Sequence, residues 1–402
     1  MSDVLSPHDG PPMASAGVIT RGTEGRIAWR ATDGIAHGPK GVGTFGFDAP
    51  FRVASVSKMV AALVCVPLIM KVENGLEADA SDLLGFRLRH PAYSEIPITA
   101  RMLLSHTSGL RNGPSYPVPF GHRLEEAFLE GGRHFDQRGW FGPAVHRPGH
   151  WFAYADVNFA LIAQIAERLC GERFDHLMHR GLFAPLGLDV GYNWSGVSQA
   201  KRDRAVAGLR CVAGQWAAQV DAAPPRAPDV ILSRASEDLR LADYRPGENG
   251  FVFSPQGGLR LSLADMDRLA RICSLTHHGS SATPISSAAL WAMQSPVWAL
   301  DPARTNGDTD QGVFLSYGLG VQTPLGRPGP AGDAFFSLSS DRWRGHLGDA
   351  YGWMTGLFWN LDDHRTIVWA INGMPETGRP AGLRSSLTAP EEALVDLALR
   401  QE

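Results

Sequence analysis

The chain has 402 residues, 44% of them hydrophobic and 19% charged, with a formal net charge of −4. That is enough chain for one large domain or two closely joined ones, each with an ample core. A slightly acidic chain offers no basic field for nucleic acid or an anionic membrane, so neither is expected as a partner.

Residues 1–13, M-S-D-V-L-S-P-H-D-G-P-P-M, read as a flexible lead-in. They have neither the basic nor the apolar stretch of a secretory signal, and no run in the chain approaches bilayer-spanning length. Cys65, Cys170, Cys211 and Cys273 are widely spaced in mostly apolar surroundings and read as buried free thiols. The expected compartment is therefore the cytoplasm. Ala16 to Thr20 and Arg26 to Arg30, separated by R-G-T-E-G, read as a hairpin, and a glycine-rich stretch from Gly34 to Gly46 leads on to a short strand, Phe51 to Ala54.

That strand delivers Ser55-Val56-Ser57-Lys58, followed by the apolar run Met59 to Val66. If Val56 onward is helical, residues three apart share a face, so the Lys58 ammonium lies beside the Ser55 hydroxyl. A serine hydroxyl is a poor nucleophile unless a neighbour takes its proton or a cation eases its loss, and a helix N-terminus adds free N–H groups where an oxyanion would develop. A helix apolar nearly all round is expected to be buried, and Pro67 is expected to end or kink it. Ser198 and Lys201 repeat the spacing in a polar run, which makes them the weaker candidates.

From Glu73 to about Arg204 the periodicity is mostly helical, with the clearest helix from Ala155 to Leu169, closing at Cys170-Gly171. Residues 205–250 contain A-A-P-P-R-A-P-D and Y-R-P-G-E-N-G and read as loops that line or cover a pocket. Strand character returns at 250–253 and 258–261, and Ser262 to Asp265 opens a helix as a capping box. Further strands are expected at 317–321, 334–338, 354–359 and 365–371, with a closing helix over 390–400. Strands at both ends of a helical middle imply an α/β (α+β) molecule. A discontinuous sheet domain would take residues 14–72 and 251–402, and a mostly helical domain with long loops residues 73–250, with the site between them.

Four segments occur in order: F-R-V-A-S-V-S-K at 51–58, L-L-S-H-T-S-G-L at 103–110, P-G-H-W-F-A-Y-A-D-V-N at 148–158 and R-G-H-L-G-D-A-Y-G at 344–352. Together they resemble the serine β-lactamase and penicillin-binding-protein superfamily, in the branch of class C β-lactamases, family VIII esterases, D-aminopeptidases and related amidases. The resemblance runs from about residue 16 to the C-terminus. It implies a β-lactamase/transpeptidase-like fold, an antiparallel sheet flanked by helices with an inserted mostly helical domain, and acyl-enzyme chemistry without cofactor or metal.

A phenol between cations can be held partly deprotonated, and the resemblance makes Tyr154 the general base and acid. The family's usual Tyr-x-Asn is here Tyr154-Ala155-Asp156, so a carboxylate stands beside Lys58, either fixing it as a cation or meeting a substrate ammonium. Asn158 is close enough in sequence to supply the missing amide, though it falls on a different face. His346-Leu347-Gly348 takes the place of Lys-Thr-Gly, and His346 is expected to polarise the substrate or assist Tyr154. By the same analogy the backbone N–H groups of Ser55 and Asp349 form the oxyanion hole, with Gly348 and Tyr351 beside the substrate. Ser105-His106 reads as scaffold, and neither the remaining histidines nor Gly257-Gly258 suggest a metal or nucleotide site.

The expected activity is cleavage of an ester or amide bond in a small molecule or short peptide through an acyl-Ser55 intermediate. Alternatives are a D-amino-acid amidase or aminopeptidase reading a free amine through Asp156, a β-lactamase or DD-peptidase, and a non-catalytic scaffold. Assembly into a homo-oligomer is compatible with the sequence.

Overall fold

A computed structural model describes residues 15–212, 214–219, 230–232, 238–337 and 339–401. The lead-in expected over 1–13 lies outside the described residues, as do positions 213, 220–229 and 233–237 of the segment expected to line a pocket.

Strands β1 (Ser15–Arg21), β2 (Ile27–Gly38) and β3 (Gly41–Thr44) from the start of the chain pair with β13 (Trp343–Ala350), β14 (Trp353–Asn360) and β15 (Thr366–Asn372) from its end. The result is one antiparallel sheet in the order β13-β14-β15-β1-β2-β3. The central strands are nearly continuous apolar runs because both faces are covered. Helix α3 (Leu263–His277) packs one face, where Leu263, Met266 and Leu269 share a core with Leu357, Trp359, Val368 and Ala370. Helix α4 (Ala389–Leu399) packs the other, its Leu394, Val395 and Ala398 meeting Phe358, Ile367, Trp369 and Ile371. The alternation along β14 and β15 assigns each residue to one core or the other.

Both covering helices start at capping boxes, Ser262 with Asp265 and Thr388 with Glu391. Helix α1 (Val56–Ile69) is buried at every residue except Pro67 and Leu68, as its all-round apolar surface requires. Pro67 falls in its last turn, and the helix ends at Ile69. Helix α2 (Val157–Cys170) packs in the same core and closes at Gly171 in the left-handed conformation. A second, three-stranded sheet joins β4 (Phe51–Arg52), β10 (Leu259–Leu261) and β5 (Gly191–Tyr192), tying the middle of the chain to both ends.

Several expectations are corrected. The glycine-rich stretch after Ala31 is a strand extension and a hairpin, β2 to β3. Residues 250–253 form a turn: a Cβ on Gly250 would lie 1.8 Å from the Ala160 carbonyl oxygen, so this segment is pressed onto α2 instead of pairing. Phe335 and Phe336 plug the core beneath α4 without forming a strand. Residues 208–219, read as loop, hold a hairpin, Gly208–Val212 with Gln215–Gln219. The four cysteines are free, with Cys65 and Cys273 buried and Cys170 and Cys211 half-buried. Among the described residues no helix is long and apolar enough to cross a membrane.

Candidate active site

The nucleophile candidate stands on a tight turn between β4 and α1. Val53 is held from both sides, its N–H by the Leu259 carbonyl and its carbonyl by the Thr355 hydroxyl at 3.0 Å. Ala54 then adopts φ 49°, a left-handed conformation that costs a residue with a Cβ about 1–2 kcal/mol and persists only where the surroundings enforce it. Ser55 follows at the N-cap of α1, yet its side chain makes no capping bond. The hydroxyl instead accepts a hydrogen bond from Lys58 Nζ at 3.0 Å, which leaves its own proton free to be given up.

Lys58 is fully buried, and its three N–H bonds meet three acceptors: Ser55 Oγ, the Gln256 carbonyl oxygen at 2.7 Å and Asp156 Oδ1 at 2.7 Å. The three acceptors match the three N–H bonds of an ammonium, and the Asp156 carboxylate beside it favours that charged form. Burial holds its pKa below the ordinary lysine value, with the Asp156 charge opposing that shift. Asp156 begins α2, and its second oxygen accepts from the Tyr116 hydroxyl at 2.9 Å. Its charge is thereby committed to Lys58, which favours the first of the two roles the sequence left open for it.

The Tyr154 ring lies between His106, at 4.3 Å between centroids, and Phe314, stacked at 4.4 Å, with Lys58 Nζ 4.7 Å from its centre. Its hydroxyl is buried and makes no complete hydrogen bond among the described residues. Ser55 acts on it in the sense that favours the phenolate, without meeting hydrogen-bond geometry, so the two are neighbours and not yet a bonded pair. Burial, and after it the Asp156 charge, hold the phenol well above its ordinary pKa. Tyr154 is thus beside one cation, not between two.

His346 departs from expectation. It is fully buried on β13, its Nε2 accepting from the Tyr317 hydroxyl at 2.8 Å and its Nδ1 donating to the Leu347 carbonyl. Burial first, then Lys58, push the imidazole down to about 3, so it is neutral and both ring nitrogens are occupied. Its ring stands behind Tyr154, 6.2 Å between centroids. Asn158 is also turned away: it accepts from Ser108 and bonds His106 Nδ1 at 3.0 Å, fastening α2 to the 105–109 turn. His106 takes part in that scaffold through its carbonyl, which accepts from the Ala153 N–H, and its Nδ1, which accepts from the Ala155 N–H. Ser198 caps the Gln199–Arg202 helix and Lys201 pairs with Asp265, so neither is near the site chemistry.

The β13 edge supplies the remaining pieces. Gly345 exchanges backbone bonds with Gln322 and the Leu347 N–H donates to Gln322 Oε1, so odd-numbered residues direct their N–H groups away from β14. The Asp349 N–H shares that direction, toward the Ser55 turn. Gly348 is required by the close approach: a Cβ there would lie 2.4 Å from the Val53 carbonyl oxygen. Tyr351 is 38% exposed, with the guanidinium groups of Arg52 and Arg210 within 4.9 and 5.1 Å of its ring centre.

Two cavities meet at Ser55. One, about 670 Å³, is lined by Tyr154, Asp310, Phe314, Leu347 and Gly348 and walled by the loop 376–388. The other, about 630 Å³, is lined by Tyr116, Asp156, Gln256 and Tyr351. Asp349 and Arg379 border both, joined in an ion pair. Tyr116, Gln256, Asp310 and Arg379 were not anticipated. Only a pattern could have pointed to them, and each lies in a loop whose sequence has none.

The Beta-lactamase family model matches residues 10–387. A penicillin-binding protein 4 from Amycolatopsis lactamdurans is 26% identical over 187 residues, so the chain matches 46% of that relative's length and 46% of its own. Among solved structures, a D-amino acid amidase from Ochrobactrum anthropi SV3, complexed with L-phenylalanine amide, aligns with a TM-score of 0.65 at 16% identity. That alignment covers 99% of this chain and 96% of the other. A β-lactamase/D-alanine carboxypeptidase from Yersinia pestis aligns with a TM-score of 0.61 at 15% identity, covering 96% and 92%.

Proposed function

The chain belongs to the β-lactamase family and is a serine hydrolase, and from that premise we propose that it cleaves esters or amides of small molecules through an acyl-Ser55 intermediate. The observation that carries this reading is the contact of Ser55 Oγ with a fully buried Lys58 on a strained turn that opens into two cavities. Ser55 Oγ attacks the carbonyl carbon while its proton passes to the deprotonated form of Tyr154. The N–H groups of Ser55 and Asp349 hold the oxyanion. As the tetrahedral adduct collapses, the bond to the leaving group breaks and Tyr154 returns the proton to the departing oxygen or nitrogen. Water, giving its proton to Tyr154, then attacks the acyl carbon, and as this second adduct collapses Tyr154 passes the proton to Ser55 Oγ, releasing the acid and restoring both side chains. Lys58 stays a cation throughout and lowers the cost of each anion beside it.

Substitution Ser55→Ala is expected to abolish turnover and labelling by a fluorophosphonate while leaving the melting temperature near that of the wild type. A variant that keeps its rate would refute the assignment.

A second reading is an amidase or aminopeptidase for amino-bearing acyl groups, the alternative in which Asp156 meets a free amine. Its support is Gln256, which lines the cavity that Asp156 also lines and whose Oε1 atom has no hydrogen-bond partner among the described residues. The Tyr116 proton is spent on Asp156, so Gln256 turns its amide N–H toward Tyr116, and its oxygen is left as an unused acceptor beside the cavity. Comparing D-2-aminobutyryl with butyryl p-nitroanilide decides it: equal kcat/KM values would exclude the amine reading. Four free thiols suit a cytoplasmic setting.

A further inference from the structure

The cavity that holds Tyr154 is unevenly charged. Its lining carboxylates are Asp310, Asp349, Glu376 and Glu391, against a single basic side chain, Arg379. Three of the four acids are spoken for. Asp349 pairs with Arg379, Glu376 pairs with Arg210, and Glu391 closes the capping box of α4, accepting from Thr388 and from the Trp369 indole. Asp310 has no hydrogen bond or ion pair from its side chain among the described residues. It sits in a left-handed conformation at φ 46°, followed by Gln311 at φ 55°, and this double turn sets it on the cavity wall near Tyr154 and Phe314. Neither Lys58 nor Arg379 is free to neutralise it, since each is already paired with another aspartate.

Tyr154, the group that returns the proton to the leaving atom, lines this cavity and not the one holding Asp156. The leaving group therefore departs into the cavity that contains Asp310. We propose that Asp310 is a specificity-determining residue that anchors a cationic leaving group, an alcohol or amine portion bearing an ammonium or similar cation. The inference rests on the serine hydrolase reading above and adds the class of substrate. A carboxylate on the leaving side meets an excess of negative charge there and is rejected. Asp310 is exposed at the cavity wall, and partial desolvation together with the Asp349 charge, opposed by Arg379, lifts its carboxyl above the ordinary pKa, an effect that an incoming cation offsets.

The test uses butyrate esters of three phenols, carrying a 3-trimethylammonio, a 3-methyl or a 3-carboxy group, with the full chain and its Asp310→Asn variant. Asparagine tolerates the left-handed conformation, so the substitution removes charge without disturbing the turn. Intrinsic ester reactivity cancels when the cationic-to-neutral ratio of kcat/KM in the wild type is divided by the same ratio in the variant. A charge-assisted contact makes that quotient about tenfold or more. The anionic-to-neutral quotient is expected below one, and the wild-type preference is expected to shrink as salt is added. Quotients of about one, with or without a change in the pH profile, overturn the anchor and leave Asp310 as a group that only tunes Tyr154. If instead no ester is cleaved and Ser55 resists a fluorophosphonate, the hydrolase reading itself has failed and the anchor falls with it.

Discussion

At the scale of single residues, Asp156 decides how the proton inventory of the site is held. Its charge raises the pKa of Lys58 and of Tyr154 alike, against burial that lowers the first and raises the second. The reactive state has one proton fewer than the resting ammonium and phenol, so kcat/KM is expected to climb from neutral toward alkaline pH. Asp156→Asn removes the anion and lowers both pKa values, whichever group carries the proton that matters, so the acid limb of the profile should move to lower pH. A limb that stays in place, or moves up, would show that Asp156 is not coupled to the base. Much of this was legible: a spacing of three positions from Ser55 to Lys58 on a helix is a geometric statement, and the contact forms at 3.0 Å. The different face of Asn158 was legible as well, because residues two apart at the start of a helix do not face each other, and its amide bonds Ser108 and His106. The hydrogen bonds of His346 were not legible, since a family position says what chemistry is usual there, while the side chain's contacts depend on Tyr317, a partner 29 residues away.

Between residue and molecule, the elements determine how well the parts are held together. Strand β13 approaches the Ser55 turn so closely that Gly348→Ala must push the strand away from Val53 and Ala54. Since Asp349 follows directly, the expected loss in kcat is about a hundredfold or more, the scale of a displaced oxyanion donor, with a smaller change in KM. Helix α2 makes a different prediction. Its Glu167 is buried beneath residues 241–247, accepting from the Tyr244 hydroxyl, the Gly247 N–H and the Phe174 N–H, and facing Asp175 and Cys65. Burial pushes its carboxyl up to about 7, above the value of about 4.5 in the unfolded chain. The folded state thus holds a proton that the unfolded chain has released, and the resulting stability is full below about pH 4.5 and lost as pH rises through about 7. The loss is about 3 kcal/mol. Glu167→Gln costs hydrogen bonds at every pH but should flatten this segment of the stability curve relative to wild type, as measured by urea unfolding between pH 5 and 7. Identical slopes would mean the carboxylate is ionised throughout. The helices themselves were legible from apolar periodicity and capping residues, whereas the hairpin at 208–219 was not, because its half-exposed strands carry Arg210, Gln215 and Gln219 where an apolar face would announce a strand.

On the scale of the whole molecule, the two ends of the chain build one sheet, and the site draws on segments at 52–58, 116–120, 154–156, 251–257, 310–314, 347–354 and 376–391. The arrangement of strands at both termini around a helical middle was readable because the pattern of elements constrains which layers can cover which. The cavity walls were not, since the loops at 310–314 and 376–388 take their shape from what they pack against. A site with so many contributing segments has no local stability of its own. Any opening that separates β13 from α1, or the 376–388 loop from α4, removes Asp349 or the cavity wall, so activity should survive only while the fold is complete. Trp343, Trp353, Trp359 and Trp369 are fully buried across the central sheet and report its integrity by fluorescence. In a urea titration, hydrolysis of a simple ester and tryptophan emission are therefore expected to fall with coincident midpoints. Activity lost at clearly lower urea would place the site in a separately melting unit, most simply the 376–388 wall. In that event substrate or a covalent fluorophosphonate adduct should draw the two transitions together, because a ligand that binds only the closed form stabilises it.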